Sequence, residues 1–258
     1  MPIYVANFHN DVANFHNDVI ANTRVSFMAV GVWFVEMVQG RHEALLPSSS
    51  ALPGSSAVLC LCDFTPIDPC HSNISYWTLH GLWPDKGIDC NSSWHFNASQ
   101  IEDLLPDMQK SWPDLLHPSS TGFWKYEWHK HGTCAAKADT LNSQHKYFSK
   151  ALELYHKLDL NSILKKFDII PSEKYYEFSQ IEGVIENFYN VKPKIQCVHP
   201  SKNADHQILG QIEICFSPDF TLHDCEKQGH WDKGMAVHKA SGFSVCDHDM
   251  PVYYPPLL

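Results

Sequence analysis

Residues 123–134 read Phe123-Trp124-Lys125-Tyr126-Glu127-Trp128-His129-Lys130-His131-Gly132-Thr133-Cys134. A carboxylate, an ammonium and an imidazole fall within five residues. On an α-helix Glu127, Lys130 and His131 stand at i, i+3 and i+4 and share one face. His129 then points roughly the opposite way. Gly132 is the expected stop of that helix, and Cys134 is suited to pin its end to another element. A base, a cation and a carboxylate on one face can remove a proton and stabilise developing negative charge.

A second block lies upstream, Trp77-Thr78-Leu79-His80-Gly81-Leu82-Trp83-Pro84-Asp85. Apolar and β-favouring residues lead to Gly and Pro, the pattern of a strand running into a turn. His80 sits in its middle. Two histidines on separate elements can face one reacting atom, one taking a proton while the other gives one. That pairing suits phosphodiester cleavage in RNA, where the 2′-hydroxyl loses a proton and the 5′-oxygen gains one. Imidazole fits both roles because its unperturbed pKa is about 6.5, and no metal or other cofactor is required. A rival metal site built from His80, His129 and His131 is weakened by the i, i+2 spacing, which splits the last two across a helix. A further rival is a secreted signalling or binding protein whose catalytic apparatus is impaired.

The two blocks together resemble the paired active-site segments of the ribonuclease T2 family, the secreted or lysosomal acid endoribonucleases. The resemblance runs from about Cys60 to the Tyr253-Tyr254-Pro255-Pro256 tail, and includes Ala151-Leu152-Glu153-Leu154-Tyr155 and Pro193-Lys194-Ile195-Gln196-Cys197. It implies that His131 is the general base and His80 the general acid. By the same resemblance Glu127 and Lys130 polarise the phosphate, and Trp83 and Asp85 hold a base by stacking and hydrogen bonding. The implied substrate is single-stranded RNA, cleaved through a 2′,3′-cyclic phosphate to a 3′-phosphate. Implied disulfides are Cys62–Cys70, Cys90–Cys134, Cys197–Cys246 and Cys215–Cys225, with Cys60 left over. One position departs from the pattern. Many members carry a phosphate-binding histidine just before the helix glutamate, and this chain has Tyr126, which donates one hydrogen bond but carries no charge at acid pH.

The formal net charge of −10 argues against binding a polyanion at neutral pH. Protonating all 17 histidines while the carboxylates stay ionised would take it to +7. The change of sign points to an enzyme that meets its substrate in an acidic lumen, endolysosomal or extracellular. Nine cysteines indicate an oxidising compartment, and the absence of repeated Cys-x-x-Cys pairs argues against structural zinc. Sequons at Asn73, Asn91 and Asn97 point to a secreted glycoprotein. The expected partner is RNA and not DNA, without stable membrane insertion, and the expected state is a monomer.

Along the chain, Val5–Asp11 recurs as Val12–Asp18, a pair too short for a solenoid. Val25–Val38 is apolar, and reads either as a signal-peptide core or as a buried strand. Within it Phe34–Gln39 is similar to the family's first strand. A Ser/Pro-rich run, Leu46–Ser56, follows. These features set an atypical segment, 1–58, apart from a catalytic domain, 59–258.

In that domain Ser99–Lys110 fits a helix capped by Ser99 and broken or kinked at Pro106. Ser143–Leu158 is an amphipathic helix with Tyr147, Phe148, Ala151, Leu152, Leu154, Tyr155 and Leu158 on its apolar stripe. Ser162–Phe167 and Ser179–Tyr189 are further helices, the latter with Ile181, Val184, Ile185 and Phe188 inward. Lys194–Val198, Gln207–Phe216 and Phe243–Cys246 read as strands, with Ile208, Ile212, Ile214 and Phe216 on one face by period-two alternation. The class is α+β, a central antiparallel sheet with packed helices, linked by disulfides.

Overall fold

A ten-residue strand, Gln207–Phe216, forms the axis of the sheet. The computed structural model describes residues 23–28, 74–85, 87–115, 117, 119–201, 203–225 and 243–256. Within these, strands β1 (Thr23–Met28), β2 (Thr78–Pro84), β4 (Lys194–Val198), β5 (Gln207–Phe216) and β7 (Phe243–Val245) lie in the order β2-β1-β5-β4-β7, each pair antiparallel. Three short strands extend it. β6 (Leu222–His223) pairs with β5, β8 (Val252–Tyr253) pairs parallel to β5, and β3 (Tyr175–Tyr176) pairs with β8. The α+β expectation holds. The strand next to the His80 strand is Thr23–Met28, earlier in the chain than Phe34–Gln39, which lies outside the described residues. The sheet thus includes a strand from the segment set apart as 1–58.

Two register shifts shape this sheet. Ser26 pairs with Gly81 and Phe27 with Leu79, which leaves His80 as an extra residue of β2. Likewise Gln196 pairs with Gln211 and Cys197 with Leu209, which leaves Gly210 as an extra residue of β5. Each bulge flips the alternation beyond it. The expected apolar face of β5 is corrected accordingly: Leu209, Ile212, Ile214 and Phe216 are buried in the core, while Ile208 is only partly buried. Gly210 is required there, because a Cβ would fall 2.1 Å from the Phe243 ring.

The helices are α1 (Leu105–Ser111), α2 (Gly122–Glu127), α3 (Thr133–Ala135), α4 (Gln144–Leu158), α5 (Leu160–Lys166) and α6 (Phe178–Tyr189), with a 3-10 segment at Ala98–Leu104. In α4 the Ser143 hydroxyl accepts from Lys146 N at 3.2 Å, a side-chain N-cap. The helix ends where Asp159 turns left-handed at φ 41°. Pro106 does not break a helix. It sits in the first turn of α1, where no intrahelical donor is lost, and Asn97 rather than Ser99 caps the 3-10 segment before it. Phe188 is 49% exposed, since α6 turns only Phe178, Ile181 and Ile185 fully inward.

Among the described residues β2 lies at one edge of the sheet, and side chains from the helical layer bond to carbonyls along it. Tyr155 Oη donates to Trp77 O at 2.7 Å, Trp112 Nε1 to His80 O at 2.7 Å and Tyr147 Oη to Leu82 O at 3.0 Å. Asn161 pairs with both backbone groups of Trp77, accepting from its N–H and donating to its carbonyl. Trp112, Trp128, Tyr147 and Phe148 pack with centroids 5.1–6.3 Å apart. Such pairs contribute about 0.5–1.5 kcal/mol each beyond area burial. Disulfides join Cys90 to Cys134, Cys197 to Cys246 and Cys215 to Cys225. Cys60, Cys62 and Cys70 lie outside the described residues. Among the described residues no helix is long and apolar enough to cross a membrane.

Candidate active site

The bulge in β2 re-aims His80 out of the strand's alternation. Its carbonyl is held by Trp112, and the carbonyl of Trp112 in turn accepts from Trp124 Nε1 at 2.6 Å. Two tryptophans, Trp124 and Trp112, thus lead from the block 123–134 to the backbone of His80. The ring of Phe123 stacks on the His80 imidazole with centroids 5.9 Å apart. His80 Nδ1 lies 2.8 Å from Gln211 Oε1 on β5, two strands away.

The block 123–134 is helical but not uniformly α. α2 ends at Glu127, and Trp128–Gly132 forms a π-turn before α3 resumes. A π-turn widens the helix locally and changes which side chains meet. The ladder it disturbs is met from outside. Asp89 N donates to Lys130 O at 3.0 Å, and Thr133 Oγ1 donates to His129 O at 2.9 Å. The Cys90–Cys134 bridge anchors the Asp89 loop on this turn. Gly132 is not a helix stop. Its backbone is right-handed helical, and glycine is needed because a Cβ would lie 2.3 Å from the Trp128 ring.

The Trp83 indole contacts both histidines. Its centroid is 4.7 Å from that of His80 and 5.2 Å from that of His131. These distances bound the separation of the imidazoles at about 10 Å, a span that one phosphate and its two ester oxygens can bridge. Trp83 Nε1 donates to Glu127 Oε2 at 2.8 Å. Gly81 leaves the room for that bond. Glu127 is fully buried, and desolvation pushes its carboxyl up to about 8, against lowering by the Trp83 hydrogen bond and the Lys130 charge. Its Oε1 is buried with no hydrogen-bond partner among the described residues. Lys130 Nζ lies 5.3 Å from the centroid of the Tyr126 ring, which is exposed.

The structure therefore gathers His80, Glu127 and His131 around the Trp83 indole, with Lys130 near enough for its charge to act on Glu127 and the exposed Tyr126 ring beside Lys130. The stacking role expected of Trp83 meets a different geometry. The ring is 7% exposed, and both imidazoles already lie against it. Asp85, partly buried, follows directly after β2. His129 leaves this group and pairs with Asp89 at 3.1 Å. Among the described residues no set of three or more His, Cys, Asp and Glu side chains is gathered as for a metal ion. Asn91 and Asn97 are exposed, and each side-chain carbonyl accepts from the hydroxyl of the serine two residues on, at 2.8 Å. Asn73 lies outside the described residues. Sequence reasoning missed Gln211, Phe123 and Trp112. For Gln211 the available signal was its alternation with Ile212 and Ile214, which puts Gln211 and Glu213 on a polar face.

Comparison with known proteins identifies the family. The sequence model of the Ribonuclease T2 family matches residues 57–225. Ribonuclease T2 of Danio rerio is 61% identical over 199 residues, covering 75% of this chain and 83% of the relative. Ribonuclease T2-A of Mus musculus is 47% identical over 199 residues, 74% of this chain and 76% of the relative. The crystal structure of human RNase T2 is similar with a TM-score of 0.63 at 48% identity, over 72% of this chain and 88% of that one. RNase MC1 from bitter gourd seeds shares the fold at 22% identity with a TM-score of 0.61, over 80% of this chain and 94% of that one. The chain belongs to the ribonuclease T2 family and is a T2-type endoribonuclease.

Proposed function

We propose that this enzyme cleaves single-stranded RNA by acid–base transesterification in an acidic lumen, with no metal ion in the reaction. His131 takes the proton of the 2′-hydroxyl, and the 2′-oxygen attacks phosphorus. The bond from phosphorus to the 5′-oxygen breaks, and His80 supplies the proton that the leaving oxygen needs. The 2′,3′-cyclic phosphate is then opened by water with the roles reversed, leaving a 3′-phosphate. The observation that carries this reading is the pair of imidazoles packed against Trp83, within about 10 Å of each other, with Glu127 bonded to the same indole.

Glu127 acts here as a neutral acid. With its carboxyl raised to about 8, it holds its proton at acid pH and donates a hydrogen bond to a phosphate oxygen. Lys130 supplies the positive charge for the phosphorane. Asp85 contributes a base contact at the end of β2. Trp83 packs against both imidazoles and holds Glu127. Glycans on Asn73, Asn91 and Asn97, export to an extracellular or lysosomal lumen, a monomeric state and discrimination against DNA through its missing 2′-hydroxyl complete the reading.

The test is cleavage of a homopolymeric RNA at pH 5 by wild type, His80→Phe and His131→Phe, with and without chelator. Either substitution is expected to lower kcat by at least about a hundredfold, and chelator to leave wild type unchanged. Activity abolished by chelator and restored by zinc would replace this mechanism with metal-assisted hydrolysis. Tyr126 at the site favours one second reading, a secreted binding protein with impaired turnover. Cleavage by wild type no faster than by either histidine variant would support it.

A further inference from the structure

The imidazole of His80 is tied to the far side of the sheet by side chains that the proposed chemistry does not use. Gln211 Oε1 is 2.8 Å from His80 Nδ1, and Gln211 Nε2 is 3.1 Å from Glu213 Oε1. Gln196 Nε2 donates to the same Glu213 oxygen at 2.8 Å, and Lys194 Nζ approaches it at 3.6 Å. Gln211 and Glu213 are 3% and 1% exposed. They stand at i and i+2 of β5, opposite Gln196 and Lys194 in the register of β4. All four side chains therefore lie on one face of the sheet.

We infer that Gln211, oriented by Glu213, fixes the tautomer of His80. Three donors converge on one oxygen of Glu213, an arrangement that suits a carboxylate acting only as an acceptor. A carboxylate beside Gln211 requires the NH2 end of the amide to face it. Reversing the amide would set two acceptors against each other in a buried site. The amide oxygen therefore faces His80 and accepts, so Nδ1 carries a proton whether the ring is neutral or charged. Every proton the ring gives or takes passes through Nε2. This inference rests on His80 being the general acid: a ring that protonates the 5′-oxygen from Nε2 then relaxes to the Nδ1–H form with no rotation. A free histidine side chain favours the opposite tautomer, so the contact has a detectable consequence. Gln211 and Glu213 are positioning residues in this scheme.

The experiment is long-range 1H–15N correlation on 15N-labelled full-length protein above the imidazole titration, alongside kinetics on a homopolymeric RNA. Wild type is expected to show His80 protonated at Nδ1. Gln211→Leu and Glu213→Gln are expected to move it toward the Nε2–H form and to lower kcat about tenfold, with KM within about twofold. An Nε2–H wild type would overturn the inference, as would retention of the Nδ1–H form in both variants or an unchanged kcat. Should either variant fail to fold, the wild-type tautomer still decides. Full activity of His80→Phe would instead remove the general-acid role and leave the tautomer result standing, so the two failures are told apart.

Discussion

Glu127 Oε2 and Trp83 Nε1 share a hydrogen bond of 2.8 Å across a glycine that has no spare room. A Cβ at residue 81 would fall 2.2 Å from that nitrogen and 2.4 Å from that oxygen. Gly81→Ala therefore displaces the indole that both histidines contact. Overpacking of this kind costs about 1–3 kcal/mol, visible as a lower midpoint in urea. Turnover should fall further than the stability loss accounts for, since both imidazoles rest on the displaced ring. An alanine variant with wild-type midpoint and kcat would refute the account of Gly81.

The Glu127 carboxyl gives the fold a signature in pH. Its pKa is raised from 4.5 to about 8 by burial, so the folded chain holds a proton that the unfolded chain has released. The resulting stability is complete below the unfolded value and is lost as pH rises through about 8. Glu127→Gln removes that titration. The difference in Tm between wild type and Glu127→Gln should shift steadily against wild type from pH 4.5 to 8. A constant difference in calorimetry would rule the raised carboxyl out. At pH 5 the glutamine variant should also keep roughly tenfold more activity than Glu127→Ala, because an amide still donates a hydrogen bond.

Tyr126 offers its ring to Lys130 and brings no charge of its own. Replacing it with histidine adds a cation beside the phosphate at acid pH. A charge-assisted hydrogen bond is stronger than a neutral one, and the gain in kcat/KM for Tyr126→His should reach about tenfold. Unchanged or lower efficiency would show that Tyr126 is an adaptation and not a deficit.

The Cys90–Cys134 bridge spans 44 residues and holds the Asp89 loop against the π-turn. Closing a loop of this length is worth about 4 kcal/mol by the chain-entropy estimate. The double variant Cys90→Ala/Cys134→Ala should lose a stability of that order in urea titration. A loss under about 1 kcal/mol would mean that the unfolded chain is compact without the bridge.

The chemistry was more legible than the geometry. His80, Glu127, Lys130 and His131 were readable because each block is dense in unusual residues, and Lys194–Val198 and Gln207–Phe216 were readable from their strand patterns. The amphipathic stripe of α4 gave its buried residues nearly complete. Gly132 and Gly81 suggest a helix stop and a turn by sequence, whereas each makes room for a nearby tryptophan ring, Trp128 four residues before Gly132 and Trp83 two residues after Gly81. The contacts of Trp83 with His131 and Glu127 are set by two elements brought together only on folding. The polar alternation of Gln211 and Glu213 is legible in the strand, but the partner of Gln211 lies 131 residues away. Ile208 was misassigned because a bulge cannot be seen in alternation alone.

The two bulged residues, His80 and Gly210, act on the sheet as line defects act on a crystal. On one side of each the lattice of side chains is in phase with the core, and on the other it is out of phase. Counting, more than chemical identity, then decides which groups face the core. Deleting Gly210 alone would leave every neighbouring residue chemically intact and yet trade the positions of Leu209 and Ile208 against the rest of their strand.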